Sequence, residues 1–201
     1  MGSHRPGGGS EPADWLRKGG NMASNQQTLQ DLVKRVEALE ANKREDRLAL
    51  GVMSGSLDYT MAAFIVALGA VASGTEVDMF FTFWATAALR DPEKSAKKDM
   101  TGRMFGAMLP NGAGSLPLSR MQMMGMGPRM IKGAIKKHGA QTLEELIEQA
   151  AEFGIRIHVC AMSMDLMGIK KEELIDYPGL DMVGVAAFVN MFDKAKHCWF
   201  M

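Results

Sequence analysis

Apolar positions recur along this chain with two different periods. Over residues 26–47, Leu29, Leu32, Val36 and Leu39 fall at alternating intervals of three and four, the spacing of a coiled-coil seam. Lys43 and Asp46 take the next two seam positions, so the pattern lasts about two heptads. It predicts a helical arm that either pairs with copies of itself or packs as an amphipathic arm on a body. The first reading, a homo-oligomer, is favoured.

After residue 47 the pattern becomes one of short apolar runs alternating with helical stretches. Residues 48–54 read as a strand ended by Gly55-Ser56, 57–73 as a buried helix closed by Gly74, and 76–83 as a second strand. A short helix over 84–90 is broken by Asp91-Pro92, and a helix within 94–108 is weakened by Gly102 and Gly106. Residues 110–127 are Gly/Pro-rich and mostly irregular, with 116–123 a short third strand. Pro128 suits a helix start, and that helix runs to His138 before Gly139. Thr142 and Glu145 fit a capping box for a helix through Phe153. Then follow a strand over 155–160, helices over 161–168 and 170–175, a strand over 180–183, a helix over 184–194 and a strand over 197–201.

Such alternation implies βαβ units around a mostly parallel sheet of about five strands with helices on both faces. In open α/β sheets reactive groups gather at the carboxyl ends of strands. Ser54, Gly55, Phe83, Trp84 and Cys160 all hold such positions and should line one rim.

Composition narrows the class. A chain of 201 residues holds one domain plus extensions, and 47% apolar residues supply an ordinary core. The expected division is a leader or disordered tail over 1–21, the arm over 22–47 and the α/β domain over 48–201. With 23 basic and 23 acidic residues, the net charge lacks the footprint of a nucleic-acid binder. The longest apolar stretch, 61–72, is 12 residues, whereas a spanning helix needs about twenty, so no membrane span is expected. Two cysteines are too few for a disulfide scaffold and fit a reducing compartment where thiols stay free. Methionine is the outlier at 19 residues, several of them clustered over 121–130 without His or Cys between them. That run reads as packing or a lid rather than a metal site.

Cys160 carries the candidate chemistry. It ends the apolar run Ile155-Arg156-Ile157-His158-Val159 and precedes a helical segment, so its thiol stands where first-turn amides favour thiolate. An end effect of this kind is worth roughly 0.3–1 kcal/mol. Taken by itself, a cysteine ending an apolar strand is more often a small buried hydrophobe than a nucleophile. His158 lies on the same strand face but too far along it for general-base contact, and reads as a satisfied core histidine. Cys198 reads as passive. The chain has no G-x-G-x-x-G, P-loop or C-x-x-C, so no nucleotide, metal or other cofactor is expected.

The string from His158 to Ile169, His-Val-Cys-Ala-Met-Ser-Met-Asp-Leu-Met-Gly-Ile, resembles the hallmark segment of the DsrE/DsrF/DsrH-like family, in its DsrE-like branch. Ser54-Gly55-Ser56-Leu57-Asp58, the run from Val77 to Trp84, the Met-rich run from Met123 to Pro128 and Glu144-Glu145-Leu146-Ile147 resemble that branch in the same order. Ala85 and Tyr59 depart from it, standing where the branch often has glycine and a basic residue. The resemblance implies a flavodoxin-like three-layer α/β sandwich, oligomeric, acting in cytoplasmic sulfur trafficking. It also implies a persulfide on Cys160 exchanged with a TusA-like carrier or a rhodanese. Around Cys160, the expected sulfur-binding and shielding residues are Met162, Ser163, Met164, Ser54, Gly55, Trp84 and Met124. Two other classes stay open. One is a thiol redox, peroxidase-like protein using Cys160 with Cys198, and the other a non-catalytic assembly subunit.

Overall fold

The computed structural model describes the backbone of residues 14–98 and 100–201, and the side chains of all of these except 14–24, Thr101 and Met124. Residues 1–13 of the expected leader lie outside the described residues. The chain divides into two units, residues 1–43 and 44–201.

In the first unit a single helix, α1, spans Asp14–Ala41. It starts earlier than the seam pattern predicted and stops before residue 47. Gly19-Gly20 reads as a breaker, but Leu16, Arg17, Lys18 and Ala23 around it are good helix formers and carry the helix through. The seam residues Leu29, Leu32, Val36 and Leu39 are all exposed.

The second unit is a five-stranded, wholly parallel sheet in the order β4-β3-β2-β1-β5. Its strands are β1 (Glu45–Val52), β2 (Glu76–Phe81), β3 (Arg156–Cys160), β4 (Leu180–Val183) and β5 (Ala195–Phe200). Strand β1 thus begins at Glu45, within the expected arm, because Arg47 is held across the β1–β2 ladder by Glu76 and Asp78. The expected strand over 116–123 does not form. That stretch contains Pro117, which lacks a ladder donor, and a 3-10 turn at Met123–Gly125 ends it.

The remaining helices are α2 (Leu57–Ala72), α3 (Met100–Met108), α4 (Met126–Lys137), α5 (Leu143–Glu152), α6 (Ala161–Met167) and α7 (Val185–Lys194). The Thr142–Glu145 capping box opens α5 as the sequence predicts, each side chain bonding the other's backbone N–H. Period-two alternation then sorts the strands. Leu48, Leu50 and Val52 of β1, Met79 and Phe81 of β2, and Ile157 and Val159 of β3 join Phe64 of α2 and Leu146 and Ile147 of α5 in one hydrocarbon core. On the opposite face, Phe188 of α7 stacks on Phe80 with ring centroids 4.1 Å apart and meets Phe200 edge-on. Beyond that aromatic cluster the same face carries ionised side chains.

Candidate functional site

Strand β3 delivers the site. Its alternation sends Ile157 and Val159 into the core and puts Arg156, His158 and Cys160 on the other face. Cys160 is at once the last residue of β3 and the N-cap of α6, with extended backbone (φ −66°, ψ 110°). The Ser163 hydroxyl, itself fully buried, donates to the Cys160 carbonyl at 2.9 Å and ties the first turn of α6 to the strand end. Gly168 ends α6 at φ +62°, where the backbone touches α3: a Cβ there would stand 2.6 Å from the Gly102 Cα. Two close constraints therefore hold the cysteine-bearing turn.

The Cys160 residue is only 1% exposed. Exposed apolar side chains follow the neighbouring strands at the same end of the sheet. Phe83 and Trp84 follow β2, Met162 follows β3, Val185 follows β4, and Met53 follows β1, whereas Met182, paired with Val159, lies on the opposite face. Phe83 holds φ +47°, a left-handed conformation uncommon for a bulky aromatic residue. Phe83 and Trp84 therefore leave the sheet by a strained turn. This strain is a feature the sequence pattern gave no sign of.

The expected rim residues come together in part. Gly55 packs directly under Trp84: a Cβ on Gly55 would lie 2.5 Å from the Trp84 carbonyl oxygen, so the turns after β1 and β2 meet there. Ser54 is half-buried, and its hydroxyl lies 2.8 Å from that of Ser56. Trp84 and Met162 project outward, 59% and 56% exposed. Met164 turns instead into the hydrocarbon core, and the Ser163 hydroxyl is already committed to backbone. The Met124 side chain lies outside the described residues.

His158 belongs to an ion cluster on the Cys160 face of the sheet. Asp78, 2% exposed, pairs with Arg156 at 2.6 Å and Arg47 at 3.0 Å, and His158 Nε2 lies 3.3 Å from its Oδ1. His158 Nδ1 pairs with Asp181 across the β3–β4 ladder. Burial alone would raise the Asp78 carboxyl. Hydrogen bonds from His158 and Arg156, and the charges of Arg156 and Arg47, outweigh it and hold the group at about 2. Burial pushes His158 down, but the hydrogen bonds and charges of Asp78 and Asp181 win and raise it above 6.5. The histidine is thus partnered on both nitrogens, as a core histidine should be. The sequence could not show which acids partner it, because that depends on the register Asp78↔Arg156 and His158↔Asp181.

Cys198 is remote. It lies on β5 opposite Ala49, three strands away from β3 and four residues lower, which separates the two cysteines by roughly 20 Å. Disulfide formation needs Cα atoms about 4.4–6.8 Å apart, so one chain cannot join them without unfolding the sheet. The Cys198 thiol instead donates to the Phe192 carbonyl at 3.1 Å. Among the described residues no cluster of His, Cys, Asp and Glu is arranged to hold a metal ion, and no helix is long and apolar enough to cross a membrane.

Comparison with known proteins finds similar sequences and a similar solved structure. The uncharacterized protein YrkE of Bacillus subtilis is 46% identical over 144 residues, covering 71% of this chain and 89% of that one. The sulfur carrier protein DsrE2 of Allochromatium vinosum is 32% identical over 162 residues, covering 78% of this chain and 99% of that one. The crystal structure of the ychN protein from E. coli aligns over 77% of this chain and 98% of its own at 12% identity, with a TM-score of 0.44. The sequence model of one family matches residues 44–200, nearly the whole of the sheet domain. The chain therefore belongs to the DsrE/DsrF/DrsH-like family.

Proposed function

We propose that this protein is a sulfur carrier that holds sulfane sulfur as a persulfide on Cys160 and passes it to the thiol of a partner. The observation that carries the reading is the setting of Cys160: a strand-end thiol at a braced turn, withdrawn from water, with exposed apolar side chains following the neighbouring strands at the same end of the sheet. Kinship with a sulfur carrier over most of the chain supports it. The sulfur-related role follows from that kinship, whereas the persulfide and its transfer are our inference.

The chemistry is an exchange without net oxidation. Cys160 thiolate attacks the outer sulfur of a donor persulfide, the donor's S–S bond breaks, and the donor leaves as a thiolate. Cys160 now carries the extra sulfur as Cys160–S–S⁻. The acceptor's thiolate then attacks that outer sulfur and Cys160 departs as thiolate. Burial limits oxidation of either form by bulk solutes. It also means that transfer requires Met162, Trp84 and the α6 turn to shift when a partner seats on the rim. A TusA-like carrier or a rhodanese, presenting its own thiol on a small surface, suits that role.

Mass spectrometry of the intact protein after incubation with a sulfane donor tests this. Cys160 should gain about 32 Da per sulfur atom, released by dithiothreitol. Cys160→Ser should gain nothing, whereas Cys198→Ser should load normally. Loading that survives in Cys160→Ser would remove the proposal.

A further inference from the structure

From Met100 to Leu143 the chain has no Asp or Glu, yet it carries Arg103, Arg120, Arg129, Lys132, Lys136 and Lys137. The whole protein is neutral, so six carboxylates in excess lie elsewhere; Glu144, Glu145, Glu148 and Glu152 of α5 line one groove with Lys132 and Lys136, which leaves Arg129 and Lys137 as the cations of α4 turned away from acids. It also holds eight of the 19 methionines. The structure shows where they go. Helix α4 buries only Gly127. At 100° per residue, Met126, Met130, Ala134 and Ile131 form one arc with Lys137 among them and Arg129 at its border, while Lys132 and Lys136 lie further round, in the groove against α5. Met130 is 62% exposed, and Met126, Ile131, Met121 and Met123 are exposed as well. Helix α3 repeats the arrangement independently, with Met100, Met104 and Met108 one turn apart, all exposed, and Arg103 beside them.

We infer that the α3–α4 region is an interfacial membrane-binding surface, seated on anionic lipid with the methionines in the acyl boundary and the lysines and arginines at the headgroups. Helices of this kind lie in the plane of the interface, so the lack of a spanning helix is no obstacle. Three features single out this occupant. A second copy would set one acid-free basic helix against another. Nucleic acid would satisfy the cations but leave the methionine arcs facing water, and α4 offers no aromatic side chain for stacking. An anionic bilayer meets both demands, since unbranched thioethers adapt to acyl chains and phosphates take the cations. Each lysine or arginine near such a surface adds on the order of a five-fold gain in partitioning.

The test uses the full chain in flotation with vesicles of phosphatidylcholine alone or with one-quarter phosphatidylglycerol. Binding is expected to the mixed vesicles only, and to weaken as salt rises. Arg129→Glu with Lys136→Glu and Lys137→Glu should reduce partitioning about a hundred-fold or more. Met126→Gln with Met130→Gln should also reduce it, and Lys136→Arg with Lys137→Arg should preserve it. Unchanged circular dichroism and melting temperature certify the folds of the variants. Cys160→Ser should float like the parent chain, which separates this inference from the sulfur reading. No flotation with anionic vesicles, or equal flotation of the triple charge-reversal variant, overturns the proposal. So does a salt-sensitive oligomer broken by the methionine substitutions without any lipid binding, which would assign the face to a second copy.

Discussion

The two faces of the sheet are sealed by different physics. Under α2 and α5 the seal is hydrocarbon: Leu50, Phe64, Phe81, Ile157 and Val159 are buried together with no ionised group among them. On the other face α7 brings aromatic rings onto Phe80 of β2 and Phe200 of β5, while beside them Arg47 of β1, Asp78 of β2 and Arg156 and His158 of β3 form an ion cluster. The first face holds the fold together whatever the pH. The second answers to pH and carries Cys160. Stability and chemistry are thus divided between alternate residues of a single strand, β3.

The sharpest way to break this division is on the hydrocarbon side. Phe81→Ala removes a ring packed 5.9 Å from Phe64 and should cost about 3–5 kcal/mol in urea denaturation. A cost under about 1 kcal/mol would mean that this face is not the main source of stability.

Asp78→Asn probes the ionic side and should cost about 1–3 kcal/mol, less than a fully buried pair would, because Arg156 is partly open to water. The pH dependence gives a second readout. The Asp78 carboxyl is held below its usual 3.8, so its contribution is full above pH 3.8 and lost as pH falls towards 2. That contribution is on the order of 2 kcal/mol. His158, held above 6.5, contributes fully below pH 6.5, and its share is lost as pH rises through its folded value. Melting curves across pH should therefore show both slopes in the parent chain and flatter ones in Asp78→Asn. Parallel curves for the two proteins would show that the cluster is not coupled to folding.

The smallest expected effect concerns access to the thiol. Met162→Ala or Trp84→Ala should speed alkylation of Cys160 by roughly ten-fold, since about 1.4 kcal/mol less to open the turn corresponds to that factor. Cys198 should keep its own rate in the same samples. No change in either variant would place the barrier in the braced α6 turn rather than at the rim.

Much of this was legible in the chain, and what escaped has definite causes. Strand β3, the turn at Cys160 and the α5 capping box were readable because each is specified by neighbours within a few residues. The 116–123 stretch misled because apolar side chains punctuated by small ones imitate a strand, and only Pro117 hinted otherwise. The Asp78–His158–Asp181 bridge could not be read, since it depends on residues 80 and 23 positions apart meeting in one register. Phe83 escaped for another reason. Its left-handed backbone is imposed by the turn around it, against the preference of its own side chain.

Strand β1 sits between β2, its near neighbour in the chain, and β5, whose Lys196 reaches Asp46 across 150 positions of sequence. During synthesis one flank of β1 therefore stays bare while more than a hundred further residues are made. Its open amides and carbonyls would invite pairing with any other nascent strand. Closure of the sheet on that side therefore waits for the last strand to be made.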